Sequence, residues 1–245
     1  MWAAGSGRFG AIAGPVAINA MSEQTAVYAG DAPHVVVADS ENRVLITASG
    51  DGKVHVTDHT HRVGWFLGPT PSPLSVVRTA DGVTVRRPDS GERRGVAIVG
   101  IDFQRTEVAV PPKSRIDIQR CDGAGIDGVE AGDVKIVCAD GSLHFEDVQT
   151  PAIQATTADG SIRASNLRVG GGTLHTDDGS IHLSLNAPAL TVRAKTADGD
   201  IRFNGARAAQ DGDAVSAEYT VGTGGGALEV STQDGSIHIT TNGGT

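Results

Sequence analysis

The chain has 245 residues, enough for one large domain or two small ones, yet it carries 33 Gly against only 5 Phe, 2 Trp and 2 Tyr. Small and β-branched residues must therefore build the core. A formal charge of -9, from 29 acidic residues against 20 Lys and Arg, argues against a nucleic-acid partner, and no stretch reaches the roughly 20 apolar residues of a membrane-spanning helix.

Residues 1–32 show no period and read as an N-terminal lead or cap. "GSGRFG" (5–10) matches the dinucleotide pattern G-x-G-x-x-G, which needs a strand before it and a helix after it. Only four residues precede it and Gly14–Pro15 interrupts the segment after it, so no cofactor is expected. "GAIAGPVAINAM" (10–21) is apolar but lacks a basic lead and a clear cleavage site, and is not read as a signal peptide.

Residues 33–110 read as irregular β coils. "SGDGKVHVT" places Val54 and Val56 at +3 and +5 from Asp51, and "TADGVTVRR" places Val83 and Val85 one position earlier relative to Asp81. "RVLITAS" supplies a strand before the first, while "GPTPSP" (68–73) and "PDSGERRG" (88–95) read as loops. In "VHVTDHTHRV" (54–63), His55, His59 and His61 share one face of a strand. His-x-His is a usable zinc pair, but no third ligand stands at firm spacing beyond nearby Asp58, so the three read as surface histidines with zinc as the weaker alternative.

From residue 111 to 245 the chain repeats. Asp-Gly pairs that keep the repeat begin at 122, 140, 159, 178, 198 and 234, at intervals of 18, 19, 19, 20 and 36, the last being two periods, with Asp127–Gly128 and Asp211–Gly212 out of phase. Around the turns Asp140–Gly141, Asp159–Gly160, Asp178–Gly179, Asp198–Gly199 and Asp234–Gly235, position +3 from Asp holds Leu143, Ile162, Ile181, Ile201 and Ile237. Position +5 holds Phe145, Ala164, Leu183, Phe203 and Ile239, and positions -6 and -4 are apolar too, as with Val134 and Ile136. Such alternation on both sides of a turn marks strands with one buried face. A two-strand unit of about 19 residues cannot bury its own apolar row. The units are therefore expected to stack in chain order, +3 over +3, as a single-stranded β-solenoid rather than a sandwich of hairpins. Residues 33–245 thus read as one continuous all-β domain. "GARAAQDGDAVSAEYTVGTGGG" (205–226) fills the missing period with Asp211–Gly212 out of phase, as a bulged coil or a loop thrown out of the stack.

Each column of the repeat has a structural and a chemical reading. The Asp column could suggest calcium, but the calcium-roll nonapeptide is absent. Asp-Gly turn chemistry is the reading, with Asp bonding its own backbone two residues on. Position +4 alternates along the chain as His144, Arg163, His182, Arg202 and His238, facing outward. It reads as a solvated face or, more sharply, as a pH-sensitive cationic stripe for an anionic ligand. Thr157, Thr176, Thr196 and Thr232 share the parity of buried positions and are expected at the corner of the core, not on a flat ice-binding face. Cys138 occupies the same -2 position, and Cys121 lies one coil earlier, one residue out of phase. A one-residue slip would bring them to disulfide distance; otherwise they are buried thiols.

Glycoside hydrolysis needs two carboxylates across a cleft, commonly with aromatic platforms, and only Trp2 and Trp65 could serve as large ones. No nucleophile elbow, His-Glu-x-x-His or P-loop is present. The combination of "ENRVLITASGDGKVHV" (41–56), "EVAVPPKSRIDIQ" (107–119) and serial "DGSI" coils ending in "ALEVSTQDGSIHITT" (227–241) resembles the bacterial putative-adhesin domain family of unknown function. The family's more frequent Gly-Ser-Gly-Asp is Ala-Asp-Gly-Ser here. The resemblance implies a β-solenoid over residues 33–241, without defined catalytic residues, in a cell-envelope or other extracytoplasmic setting, although a cytoplasmic one stays open on the sequence alone. It implies a non-enzymatic surface-binding scaffold whose partner is a protein, a glycan or a membrane-active peptide. The alternatives are a structural module that self-associates end to end through a thin C-terminal cap, "TNGGT" (241–245), and, more weakly, a polysaccharide-acting enzyme.

Overall fold

The computed structural model describes residues 14–26, 31–38, 42–67, 74–87, 96–209, 215–223 and 225–242, and among these the chain is all-β with no helix. The G-x-G-x-x-G match at 5–10, Trp2, the stretches 68–73 and 88–95, and Asp211–Gly212 lie outside the described residues. Seven strands precede the repeats: β1 (Gly14–Ala26), β2 (His34–Ala38), β3 (Arg43–Ala48), β4 (Val54–Leu67), β5 (Ser75–Arg78), β6 (Gly82–Arg86) and β7 (Val96–Val110). The first repeats form β8 (Ser114–Asp127), β9 (Ala131–Glu146), β10 (Gln149–Thr150), β11 (Ala152–Asp159), β12 (Ile162–Val169), β13 (Gly172–Asp178) and β14 (Ile181–Leu185). The last form β15 (Leu190–Asp198), β16 (Ile201–Phe203), β17 (Ala206–Arg207), β18 (Val215–Val221), β19 (Gly226–Asp234) and β20 (Ile237–Thr241).

Each Asp-Gly turn is a corner between two faces of a solenoid-like stack. On the first face Ile153 pairs in parallel between Val134 and Gly172; on the second, Ile162 pairs between Leu143 and Ile181, 19 residues away on either side. The apolar rows of the two faces meet inside. Leu143, Ile162, Ile181, Ile201 and Ile237 are all 0% exposed, and Phe145 is among the largest buried side chains. Burying such a Leu or Ile stabilises the fold by about 1.5–3 kcal/mol. Only stacking makes that burial available.

The corners supply the polar half of the packing. Gly179 has φ 154, and a Cβ there would stand 2.3 Å from the carbonyl oxygen of Gly160 in the coil below, so both backbone conformation and close approach require glycine. That carbonyl accepts a hydrogen bond of 2.7 Å from Thr176 Oγ1. Thr157 bonds Gly141, Thr232 bonds Gly179 and Thr196 bonds Gly235 in the same way, each at 2.9 Å. The serines that follow the glycines join in, with Ser142 Oγ accepting from the Ser161 amide and Ser180 Oγ from the Ser236 amide. The Thr column is buried at the corner of the core, as its parity requires.

The coils do not stack in chain order at the C-terminal end. β13 pairs with β19, not β15, and β14 pairs with β20, so the last coil in the sequence inserts between coil 172–185 and coil 190–203. The bulged-coil reading of 205–226 is therefore corrected, and the described residues of that segment leave the parallel stack instead. After β16 the chain turns back through β17, and β18 runs antiparallel along the outer edge of β15. "TNGGT" correspondingly begins inside the stack, where the Asn242 amide N–H bonds the Leu185 carbonyl. The physical reason is edge protection: an outermost parallel strand exposes unpaired backbone groups, and an antiparallel return strand covers them.

The N-terminal end repeats the device. β2 inserts between β6 and β8, β3 inserts between β7 and β8, and the outer strands β6 and β7 are covered by antiparallel β5 and β4. β1 adds to β4 in turn. This end also holds a buried ion pair, Arg87 Nη2 to Asp58 Oδ1 at 2.9 Å, which ties the end of the β6 coil to β4. Removing one partner leaves a buried charge uncompensated. Arg87→Ala is expected to cost about 3–5 kcal/mol in urea unfolding, and the joint replacement Asp58→Leu/Arg87→Met to recover most of it.

Candidate functional site

The outward +4 positions form one continuous row on the second face, but in an order the sequence does not give. Insertion of β20 makes it His144, Arg163, His182, His238, Arg202, each paired with the next across adjacent strands. Strict alternation of His and Arg along the row is thereby corrected. His182 and His238 become neighbours with ring centroids 4.9 Å apart instead of standing two coils from one another. All five side chains reach solvent, His238 the least.

The electrostatics of the row depend on this order. Partial burial, then Arg163 and Arg43, holds His144 below the usual imidazole range. Partial burial, then the neighbouring His238 and Arg163, does the same for His182. Both are therefore neutral at pH 7 and gain charge only on acidification. Arg202 lies 3.6 Å from Asp200, which also pairs with Arg207, and Arg163 makes no ion pair among the described residues. The row can attract anions; it contains no nucleophile and no paired acid and base.

The Asp column stacks Asp122, Asp140, Asp159, Asp178, Asp234 and Asp198 in that spatial order. Loss of solvent contact, then Asp234 and the other neighbouring carboxylates, pushes Asp178 up. The Asx bond expected at these turns is seen at Asp51, whose Oδ1 accepts from the Lys53 amide. At the repeat corners the Thr and Ser bonds run between coils instead.

His55, His59 and His61 lie along β4, but the first two turn to different carboxylates. His55 Nε2 is 2.8 Å from Asp51 Oδ1, holding that carboxyl well below its usual range, and His59 Nε2 is 3.4 Å from Glu107. His61 is exposed. Among the described residues no three His, Cys, Asp or Glu side chains come together as a metal site.

Cys121 and Cys138 form a buried disulfide, with Cα atoms 4.7 Å apart. The one-residue slip this needs is a bulge at Arg120, φ 56, where the register of β8 against β9 shifts. Cys138 stands where the later coils carry Thr, so the cystine replaces the Thr-to-carbonyl link at that corner.

Two features escaped the sequence reading. A second corner carries a side-chain ladder, with Asn166 donating to Asp147 at 2.6 Å and Asn186 donating to Asn166 at 2.8 Å. Asp147 and Asn166 have φ 50 and 54, values Asp and Asn tolerate better than most residues, and their recurrence one period apart was the available signal. On the first face, a shallow depression is lined by Thr173, Arg193, Lys195, Glu218 and Glu229. There Arg193 is engaged by Glu218 at 2.9 Å.

Residues 124–240 match the family model described as Toastrack DUF4097. No curated protein matches the chain. Among solved structures, a "putative cell adhesion protein" from Clostridium sporogenes is 10% identical, with 92% of this chain and 100% of that one covered at a TM-score of 0.51, which shows a shared fold. A "putative adhesin" from Bacteroides fragilis is 10% identical over 91% of this chain and 97% of its own, at a TM-score of 0.43. Another from Parabacteroides merdae is 12% identical over 89% and 80%, at 0.46.

Two measurements test the site's framework. Replacing both cysteines by Ser opens a loop of 17 residues and is expected to lower stability by about 3 kcal/mol in urea unfolding, with the all-β circular dichroism spectrum kept. For His144 and His182, whose folded pKa values lie below the unfolded one, the unfolded chain binds protons more readily on acidification. Their contribution is present above about pH 6.5 and lost as pH falls below it. The urea midpoint should drop from about pH 7.5 to about pH 5, and less steeply in His144→Gln/His182→Gln.

Proposed function

We propose that the chain, whose residues 124–240 match the Toastrack family model, is a non-enzymatic, adhesin-like binding scaffold. In this reading it is a single-stranded β-solenoid with coils of about 19 residues, and its outer second face holds an anionic surface partner. The observation that carries the reading is the unbroken row His144–Arg163–His182–His238–Arg202 on one flat face of a protein whose formal charge is -9. Carbohydrate-bearing or lipid surfaces present anions in such extended arrays. A folded scaffold with a linear row meets them at several rungs at once.

The cell-adhesion name of the Clostridium sporogenes relative agrees with this reading. The buried disulfide supports an oxidising, extracytoplasmic setting.

Binding of the chain to anionic lipid vesicles and to immobilised acidic glycans tests the proposal. Replacing all five row residues by Gln should weaken capture of at least one of these by about tenfold or more, and raising salt should weaken the parent chain's binding. Capture unchanged by the substitutions would sink the idea.

A further inference from the structure

We propose that the four rungs Arg163, His182, His238 and Arg202 bind a linear acidic polysaccharide laid along the stacking axis, and that the His182–His238 pair strengthens this binding at acid pH. The inference rests on the anion-binding reading of the row and adds the ligand class and its regulation.

Geometry selects a polymer. Adjacent strands are about 4.8 Å apart, close to the length of one pyranose residue. A glycan with one carboxylate per sugar turns successive acid groups to opposite sides in a roughly twofold chain, so every second carboxylate faces the row and meets every second rung. The rows beside the middle rungs are hydroxylic, with Ser180 and Ser236 on the corner side and Ser184 and Thr240 on the other. Ser180 Oγ accepts from the Ser236 amide, Ser236 Oγ from the Asp200 amide and Ser184 Oγ from Asn242. Thr240 Oγ1 donates to the Leu183 carbonyl, whereas the O–H donors of the three serines can point to sugar oxygens.

Charge sets the footprint. At the His144 rung the adjacent row turns acidic, with Glu146 paired beside Asp127, which disfavours a polyanion. At the other end Asp200 is occupied by Arg202 and Arg207. Four rungs lie between these limits.

The same geometry gives the pH dependence. His182 on β14 faces Arg163 from β12 and His238 from β20, and His238 faces Arg202 from β16. No carboxylate stands in this row. Protonating His182, partly buried, 4.9 Å from His238 and beside Arg163, is unfavourable until an anion offsets the repulsion. Ligand binding therefore takes up protons, and affinity rises as pH falls. Uronate carboxylates stay ionised throughout this range.

Calorimetric titration of the full chain with a hexameric oligogalacturonate at about pH 5.5 and 7.5 tests this. The parent chain is expected to bind about tenfold or more tightly at the lower pH. His182→Gln/His238→Gln should bring that ratio to about twofold or less, and Arg163→Gln should weaken binding at both pH values, with unchanged circular dichroism in each. Equal affinity at the two pH values, or a ratio insensitive to the His substitutions, overturns the gating. Failure to bind the oligogalacturonate, while anionic vesicles are still captured in a manner dependent on the row, overturns the ligand class and leaves the broader reading standing. Failure with every anionic probe removes both.

Discussion

The contact on which the stack depends is the approach of one corner glycine to the next. A Cβ at Gly160, Gly179 or Gly235 would stand 2.3 Å from the carbonyl oxygen of the coil below, and a Thr hydroxyl of the coil above that carbonyl satisfies it. These two requirements explain why Thr-x-Asp-Gly-Ser recurs as a unit. Glycine permits the approach, Thr satisfies the carbonyl, Ser bridges to the next amide and Ile begins the buried row. Where Thr is replaced by Cys138, a covalent bond to Cys121 performs the joining. The corner is over-determined, and that fixes the register of both faces at once.

A stack held by corners still has two ends, and the protein treats them alike. Each outer coil is not the terminal piece of the repeat but one that the chain leaves and returns from, so that β2–β3 and β19–β20 insert inside it. Antiparallel β5 and β18 then cover the outermost parallel strands. The insertion obeys the same corner rule as the rest: Thr232 bonds Gly179 below it, and Thr196 of the outer coil bonds Gly235 below it in turn. Identical corners make any two coils compatible neighbours, which is what lets the order in space differ from the order in sequence.

The surface row inherits its character from that permutation. In chain order the cations would alternate; in space two histidines meet between two arginines. Proximity of like groups, together with partial burial, lowers the proton affinity of His182. At His144 and His182 the face is neutral at pH 7 and can gain charge on acidification. The coils thus separate two tasks by parity, with one set of positions filling the core and the alternate set free to carry chemistry.

The amino-acid sequence by itself determined the all-β class, the corner positions and the inside or outside assignment of nearly every column. Period-two alternation and the Asp-Gly spacing report local geometry, and Ile181 is buried while His182 faces out whichever coil lies beside them. It also determined that Cys121 and Cys138 could meet after a slip of one residue, though not that Arg120 would bulge to allow it. Which coil lies beside which was decided only by the tertiary structure. The units are too alike at Thr, Gly and Ile for the sequence to distinguish one neighbour from another, and what discriminates is the need to cover strand edges, a property of the whole sheet. The meeting of His182 with His238, and the pairing of Asp58 with Arg87 across 29 residues, belong to that same long-range order.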